Sequence, residues 1–232
     1  VNGEFKSCDA VIVSQDTLTA ADELFDPPLN EKWVKKMKAY HPSRSCMFFA
    51  CGADINLSSY PENMIIPVDD TLELGGEKFT EIRLNNYSSN NYYCKKGTAA
   101  LTSVLSGTSY DYWKTAKDRG TYRELKNQHV EKILNHIYKY IPELKGHIEV
   151  TDFATPLTYE RYCSSWKGSW MSTWEKGKPS FSHPVKSKKI KGLYFEGQRT
   201  KMPGGLPITL SSARKAAQTL CRDFKHTWLE EN

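Results

Sequence analysis

The stretch from Gly192 to Phe224 does most to narrow what this chain can fold into. Leu193-Tyr194-Phe195 is a short apolar run that reads as a strand. It leads into Gly197 and then into Pro203-Gly204-Gly205-Leu206-Pro207. Beyond that turn Leu210, Ala213, Ala217, Leu220 and Phe224 recur at helical spacing. Pro207 suits a helix's first turn, where a missing N–H leaves no bond unmade. Paired glycines let a backbone pass close to a ligand. A helix that starts there points free N–H groups and partial positive charge forward, which suits a phosphate or another electron-rich group. The unit is neither GxGxxG nor GxxxxGK[ST]. A tight turn ahead of a core helix uses the same residues, so the pattern alone leaves both readings open.

The rest of the chain reads as mixed structure. Ala10-Val11-Ile12-Val13 is a continuous apolar run, as for a strand buried on both faces. Ser14-Gln15-Asp16-Thr17 is placed to cap a short helix reaching Leu24 and Phe25, which Pro27-Pro28 breaks. Asn30 then caps a Lys-rich helix to about Tyr40, with Trp33 and Met37 on one face. Strands are expected at Cys46–Cys51, Met64–Ile66, Glu81–Tyr87 and Ala99–Leu105, forming an antiparallel sheet. Asn85 to Tyr93 reads as a loop or hairpin end. Val130, Ile133, Leu134, Ile137 and Ile141 predict one long helix from about Thr121 to Ile141, ended near Pro142. A strand follows at Gly146–Val150, and Lys176 to Lys191 reads as an exposed loop.

With 232 residues, 39% hydrophobic and 12% aromatic, the chain has material for one large domain or two small ones. The net charge of +5 is a small lysine excess, read as a solvated surface without a nucleic-acid partner. Six cysteines at irregular spacing, with no CxxC pair, read as free thiols in a reducing compartment. No apolar run approaches the ~20 residues of a membrane span. The start, Val1-Asn2-Gly3, carries no signal-peptide pattern and no Met, and reads as part of something longer.

Gly192-Leu193-Tyr194-Phe195-Glu196-Gly197-Gln198-Arg199-Thr200, with Pro203-Gly204-Gly205-Leu206-Pro207 and Ser211-Ser212-Ala213-Arg214, resembles the C-terminal FAD-binding signature of phytoene-desaturase and retinol-saturase-like flavoproteins. These belong to the amine-oxidase-type superfamily. Thr155-Pro156-Leu157-Thr158-Tyr159-Glu160-Arg161-Tyr162 and Lys167-Gly168-Ser169 resemble another segment of the same group. Asp9 to Val13 resembles the strand that returns to the FAD domain. The resemblance is close over 151–224, weak over 8–26 and only architectural between.

The resemblance implies FAD as cofactor, with Gly197, Gln198, Thr200, Pro203, Gly204, Gly205, Leu206 and Pro207 as its contacts. Gln198 stands where Asp is commoner. It implies hydride transfer in desaturation, saturation or isomerisation of a hydrophobic, carotenoid- or retinoid-like substrate. No catalytic residue follows. Glu160 and Arg161 are expected to brace the site as an ion pair or cap. The fold expectation is α+β: a mainly antiparallel substrate-domain sheet with helices, plus the strand and helix of a split, Rossmann-like FAD-binding domain. Its divisions would be 1–16 (returning strand), 17–190 (substrate domain) and 191–232 (FAD-binding strand–turn–helix). The Gly-rich pyrophosphate motif of such domains occurs nowhere in the sequence, so the N-terminal FAD-binding half is the expected partner and this chain alone is expected to bind FAD weakly and be inactive. A cytoplasmic location with peripheral membrane contact is expected. An amine-oxidase-like enzyme on a small substrate and a non-catalytic ligand-binding module are the alternatives.

Several smaller signals stay open. His129 and His136 share a helix face without a third metal ligand in pattern. Tyr87 to Tyr93 with Lys95-Lys96 reads as a sheet edge or pocket wall before a base-stacking surface. Tyr159, Trp166, Trp170 and Trp174 suit an apolar pocket, a membrane contact or core packing equally.

Overall fold

In a computed structural model, described over residues 4–40, 44–170, 182–201 and 204–228, strands and helices alternate irregularly along the chain. Their order is β1 (Val11–Val13), α1 (Thr17–Glu23), α2 (Lys32–Tyr40), β2 (Arg44–Ala53), β3 (Asn63–Leu74), β4 (Glu77–Asn86), β5 (Ala99–Ser109), α3 (Tyr110–Asp118), α4 (Tyr122–Ile137), β6 (Ile148–Ala154), α5 (Pro156–Cys163), β7 (Leu193–Phe195) and α6 (Leu206–Asp223). The chain divides into two units. A sheet unit takes 43–162 and 167–170; a ribbon unit takes 1–42, 163–166 and 171–232.

The sheet unit is built on five antiparallel strands in the order β3-β4-β5-β2-β6. Alternation sets its buried face: on β4, Ile82 and Leu84 point inward while Arg83 points out. Phe49 of β2 lies between Ser103 of β5 and Phe153 of β6. Met47, Phe49, Leu101, Leu105 and Phe153 share one core with Trp113 of α3 and Ile133 and Ile137 of α4. Each such side chain contributes about 1.5–3 kcal/mol through burial. β3 runs further than expected, past Pro67, because it is an edge strand where a missing N–H costs no ladder bond.

The long helix expected from about Thr121 to Ile141 is α4, which begins at Tyr122 and stops at Ile137, four residues short. A second helix, α3, precedes it where none was expected. Ser109 caps α3 by accepting from Tyr112 N–H at 3.2 Å, and Gly120 turns the chain before α4. α4 stops at Ile137, and Ile141 is buried in a turn ahead of a 3-10 turn at Pro142–Leu144.

In the ribbon unit β1 and β7 pair in parallel, Val11 with Leu193 and Val13 with Phe195. Val13, Leu18, Trp33, Val34, Met37, Leu193 and Phe195 form its core. Asp16 caps α1 by accepting from Leu18 and Thr19 N–H. β1 is not buried on both faces as expected: Val11 and Ile12 are 46% and 42% exposed, because β1 has a strand on only one edge among the described residues.

Contacts group the segments on either side of 16/17 and 190/191 together in the ribbon unit. α1 and α2 bury Leu18, Trp33 and Met37 in the same core as β1 and β7, and 163–166 joins that unit as well. The expected exposed loop is irregular and mostly exposed where it is described, 176–181 lying outside the described residues, but it is pinned to β7. Phe195 N–H donates to Val185 O at 2.7 Å and Ser187 N–H to Leu193 O at 2.9 Å. These bonds satisfy the second edge of β7 and bury His183 and Ser187.

The helix α6 turns a different face inward from the one expected. Ser212, Ala216 and Thr219 are buried, while Leu206 and Leu210 are 80% and 73% exposed. Ser212 is drawn in because its hydroxyl bonds the backbone of Gly197.

Candidate functional site

β7 ends where Glu196 N–H donates to Val13 O at 3.0 Å, the last rung of the ladder. The chain then folds into a tight turn. Thr200 N–H and its hydroxyl both donate to Gly197 O, at 3.2 and 3.0 Å. Ser212 of α6 accepts from Gly197 N–H at 2.9 Å. The turn is thereby fixed to both the strand and the helix.

Arg199 lies inside this turn with its side chain 1% exposed, ion-paired to Asp16, whose side chain is 5% exposed. Arg199 also donates to the Ser165 hydroxyl at 3.0 Å. Asp16 therefore serves two elements: one carboxylate oxygen caps α1 and the other holds Arg199. Composition and spacing gave no reason to single out this pair. Only the inward orientation of Arg199 shows it, and an arginine beside a glycine turn is ordinarily on the surface.

Gly204 and Gly205 both adopt left-handed backbone, with φ of 83° and 88°, which a side chain would strain. Among the described residues, a Cβ built on Gly205 would meet nothing nearer than Pro207 Cδ at 4.0 Å. Gly205 caps α6 without a side-chain acceptor, and Pro207 sits in the first turn. The structure thus sets Gly197, Gln198, Thr200, Gly204, Gly205, Leu206 and Pro207 in one strand–turn–helix. Pro203 lies outside the described residues. Beside the turn, Glu196 Oε2 is buried without a hydrogen-bond partner among the described residues, and burial pushes the carboxyl above its usual range. A left-handed glycine turn, a helix start without a side-chain cap and an orphaned polar atom are the features a flavin nucleotide uses, and these residues fit one.

The sheet unit holds the second segment singled out in the sequence. Tyr159 OH accepts from Cys46 Sγ at 3.5 Å. Tyr110 OH donates to Glu160 at 2.9 Å, and Arg161 lies over the Tyr162 ring at 5.1 Å. Glu160 thus bonds a tyrosine where an ion pair or cap was expected. Gly168, at φ 57°, allows the closest approach in the unit: a Cβ there would stand 1.9 Å from Pro156 O. The aromatic set is divided. Trp166 packs on the ribbon-unit core, Trp170 belongs to the sheet unit and is exposed, and Trp174 lies outside the described residues.

Both helix histidines have backbone partners. His129 accepts from Gly75 N–H at 2.7 Å and donates from Nδ1 to Leu125 O at 2.8 Å. His136 donates to Pro67 O at 2.8 Å. Tyr92 and Tyr93 pack edge to face at 5.1 Å on an exposed turn beyond β4. No two cysteines are joined. Among the described residues no helix is long and apolar enough to cross a membrane.

The class of protein comes from comparison with known proteins. Residues 1–221 match the family of flavin containing amine oxidoreductases, and the chain belongs to that family. It is similar to all-trans-retinol 13,14-reductase of Danio rerio, 29% identical over 117 residues that span 47% of this chain and 19% of that protein. Cyclohexylamine oxidase from Brevibacterium oxydans IH-35A shares the fold, with a TM-score of 0.53 and 14% identity over 94% of this chain and 43% of that one. The chain spans less than half the length of either relative.

Proposed function

We propose that the chain is the substrate-side and flavin-facing part of an FAD-dependent oxidoreductase acting on a hydrophobic, retinoid- or carotenoid-like substrate. The observation that supports this most is the strand–turn–helix at 193–223, with left-handed Gly204 and Gly205 ahead of an α6 that has no side-chain cap. When bound, FAD supplies the hydride acceptor or donor. Gly197, Gln198 and Thr200 would hold the ribityl and phosphate region, Gln198 through a neutral amide. Pro203, Gly204, Gly205, Leu206 and Pro207 would lie along the ring. The start of α6 would present its positive end to the ring's electron-rich edge. Arg199 and Asp16, buried as an ion pair, would keep the turn in register with β1.

In this reading β1, β7 and α6 belong to a split dinucleotide-binding domain. The bare edge of β1 and the exposed Val11, Ile12, Leu206 and Leu210 are the surfaces its other half would cover. That half carries the pyrophosphate contacts, so the isolated chain binds FAD weakly and is inactive. The sheet unit would carry the substrate. Peripheral membrane contact in the cytoplasm suits such a substrate.

Two experiments test this. Mixed with excess FAD and desalted, the chain is expected to elute without flavin absorbance; retained absorbance would show that the other half is dispensable for binding. In the whole gene product, anaerobic reoxidation of pre-reduced flavin by a retinoid is expected. Bleaching of oxidised flavin by a primary amine, with no response to retinoids, would move the protein to the amine-oxidase reading.

A further inference from the structure

A cleft of about 710 Å³ opens in the ribbon unit between α2, the 182–189 segment and α6. That is the size of a small-molecule site. It shares no lining residue with the flavin-facing turn. Its wall is apolar, made by Trp33, Pro184 and Val185. Its rim is cationic: Lys32 and Lys36 come from α2, Lys188 and Lys189 from the loop, and Lys215 from α6.

Among the described lining residues one carboxylate, Glu31, stands with these lysines. It is buried, and its oxygens are already used. It accepts from Trp33 Nε1–H at 2.9 Å, from the Ser187 hydroxyl and from Lys188 N–H at 3.2 Å. Burial alone would raise this carboxyl; hydrogen bonds from Ser187, Lys188, Trp33 and Lys189 outweigh that and hold it below its usual range. Glu31 therefore ties the loop to the start of α2 and fixes the distance between the two rims. Lys189 is also positioned, donating to Asn30 O at 2.7 Å. Lys32, Lys188 and Lys215 make no ion pair among the described residues. Lys32, Lys188 and Lys215 around an apolar wall, on a frame held by buried hydrogen bonds, are complementary to a ligand with both characters.

We propose that this cleft binds an amphiphilic anion, with an apolar body on Trp33, Pro184 and Val185 and a phosphate or carboxylate among the lysines. The ligand is either free in solution or the headgroup of an anionic lipid, and the chemistry is the same for both. The site needs no bound flavin.

Calorimetric titration of the full chain with octyl phosphate tests it. One site is expected, weakened by added salt as exposed charges are screened. Lys188→Glu combined with Lys215→Glu is expected to weaken binding about tenfold or more. Val185→Ser is expected to weaken octyl phosphate while leaving inorganic phosphate unchanged, and inorganic phosphate alone should bind about tenfold more weakly, since it leaves the apolar wall unused. Circular dichroism confirms that each variant is folded. Equal affinity in wild type and the double variant overturns the proposal, and so does inorganic phosphate binding as tightly as octyl phosphate. Phosphatidylcholine vesicles with and without phosphatidylserine separate the sources. Retention by phosphatidylserine vesicles, lost in the double variant, identifies the headgroup. Octyl phosphate binding with no vesicle retention identifies a free ligand. Both support the site.

Discussion

In the sheet unit a continuous apolar core runs from Met47 through Trp113 to Ile137, and its buried histidines only stitch backbone to side chain. In the ribbon unit the apolar core is smaller, and buried polar groups join its separate segments. Arg199 reaches Asp16, Glu31 reaches Ser187, and the Thr17 hydroxyl meets His183 Nε2 at 3.2 Å. A five-stranded sheet gives each strand a face to bury, whereas a two-stranded ribbon does not. A ribbon that must also present a glycine turn gains its definition from directional bonds. Those bonds are costly to break singly, because each leaves a buried charge or donor unpaired.

The largest effect is expected in the apolar unit. Trp113 is fully buried, its Nε1–H donates to Thr108 Oγ1 at 2.9 Å, and its ring contacts Phe153 and His129. Trp113→Ala removes that volume and should cost about 4 kcal/mol. Hydrogen exchange followed segment by segment should show the loss across β2, β5 and β6, with β1 and β7 unchanged. An equal loss in the ribbon unit would mean that the two units unfold together, and would remove the basis of the comparison.

A somewhat smaller loss, about 3 kcal/mol, is expected from Arg199→Met, which leaves Asp16 buried without its counter-ion. Asp16→Asn keeps a side-chain cap on α1. Combining it with Arg199→Met should recover at least half of the loss, because both charges are then gone. Denaturant midpoints of the four proteins give the coupling. If the double variant is no more stable than Arg199→Met, the pair does not hold the turn, and the ribbon unit rests on its apolar core like the other.

The regions that were legible in the sequence are those where local pattern and burial agree. Ile82 and Leu84 alternate with Arg83 and form a strand as expected, and Asp16 stands before α1 as a cap. Gly204-Gly205-Leu206-Pro207 marked the start of α6 because glycine and proline act through their own backbones. The misreadings arise where tertiary partners decide. α3 was hidden because Tyr110, Tyr112 and Trp113 favour strands in isolation, and only Ser109 and the core make them helical. The face of α6 was assigned to leucine and alanine, yet a serine bond to Gly197 sets it. Arg199 and Glu31 carry no local signal of burial because their partners lie 183 and 156 residues away in the chain.

The smallest expected effect is a pH dependence that labels each unit by its own histidine. His183 is enclosed by Trp33, at 5.3 Å between ring centres, and by Phe195. Its Nδ1–H donates to Pro184 O at 2.9 Å. Burial holds its pKa below the ordinary 6.5, the Pro184 bond and Asp16 only partly opposing it. In the unfolded chain it titrates normally. Between the two values the unfolded state binds a proton that the folded state refuses, so stability is intact above about pH 6.5 and falls as pH is lowered through that window. The slope for one such proton is at most about 1.4 kcal/mol per pH unit. His129 is shifted the same way by burial in the sheet unit. Glu196, pushed up by burial, has the opposite sign: its folded carboxyl keeps a proton longer, which offsets part of the acid loss lower down, in the carboxylate range. His183→Gln should therefore flatten the loss between pH 7 and pH 5 for β1, β7 and α6 in hydrogen exchange, and His129→Gln should do so for β3, α3 and α4. If either substitution flattens both sets of segments, the two units respond to acid as one.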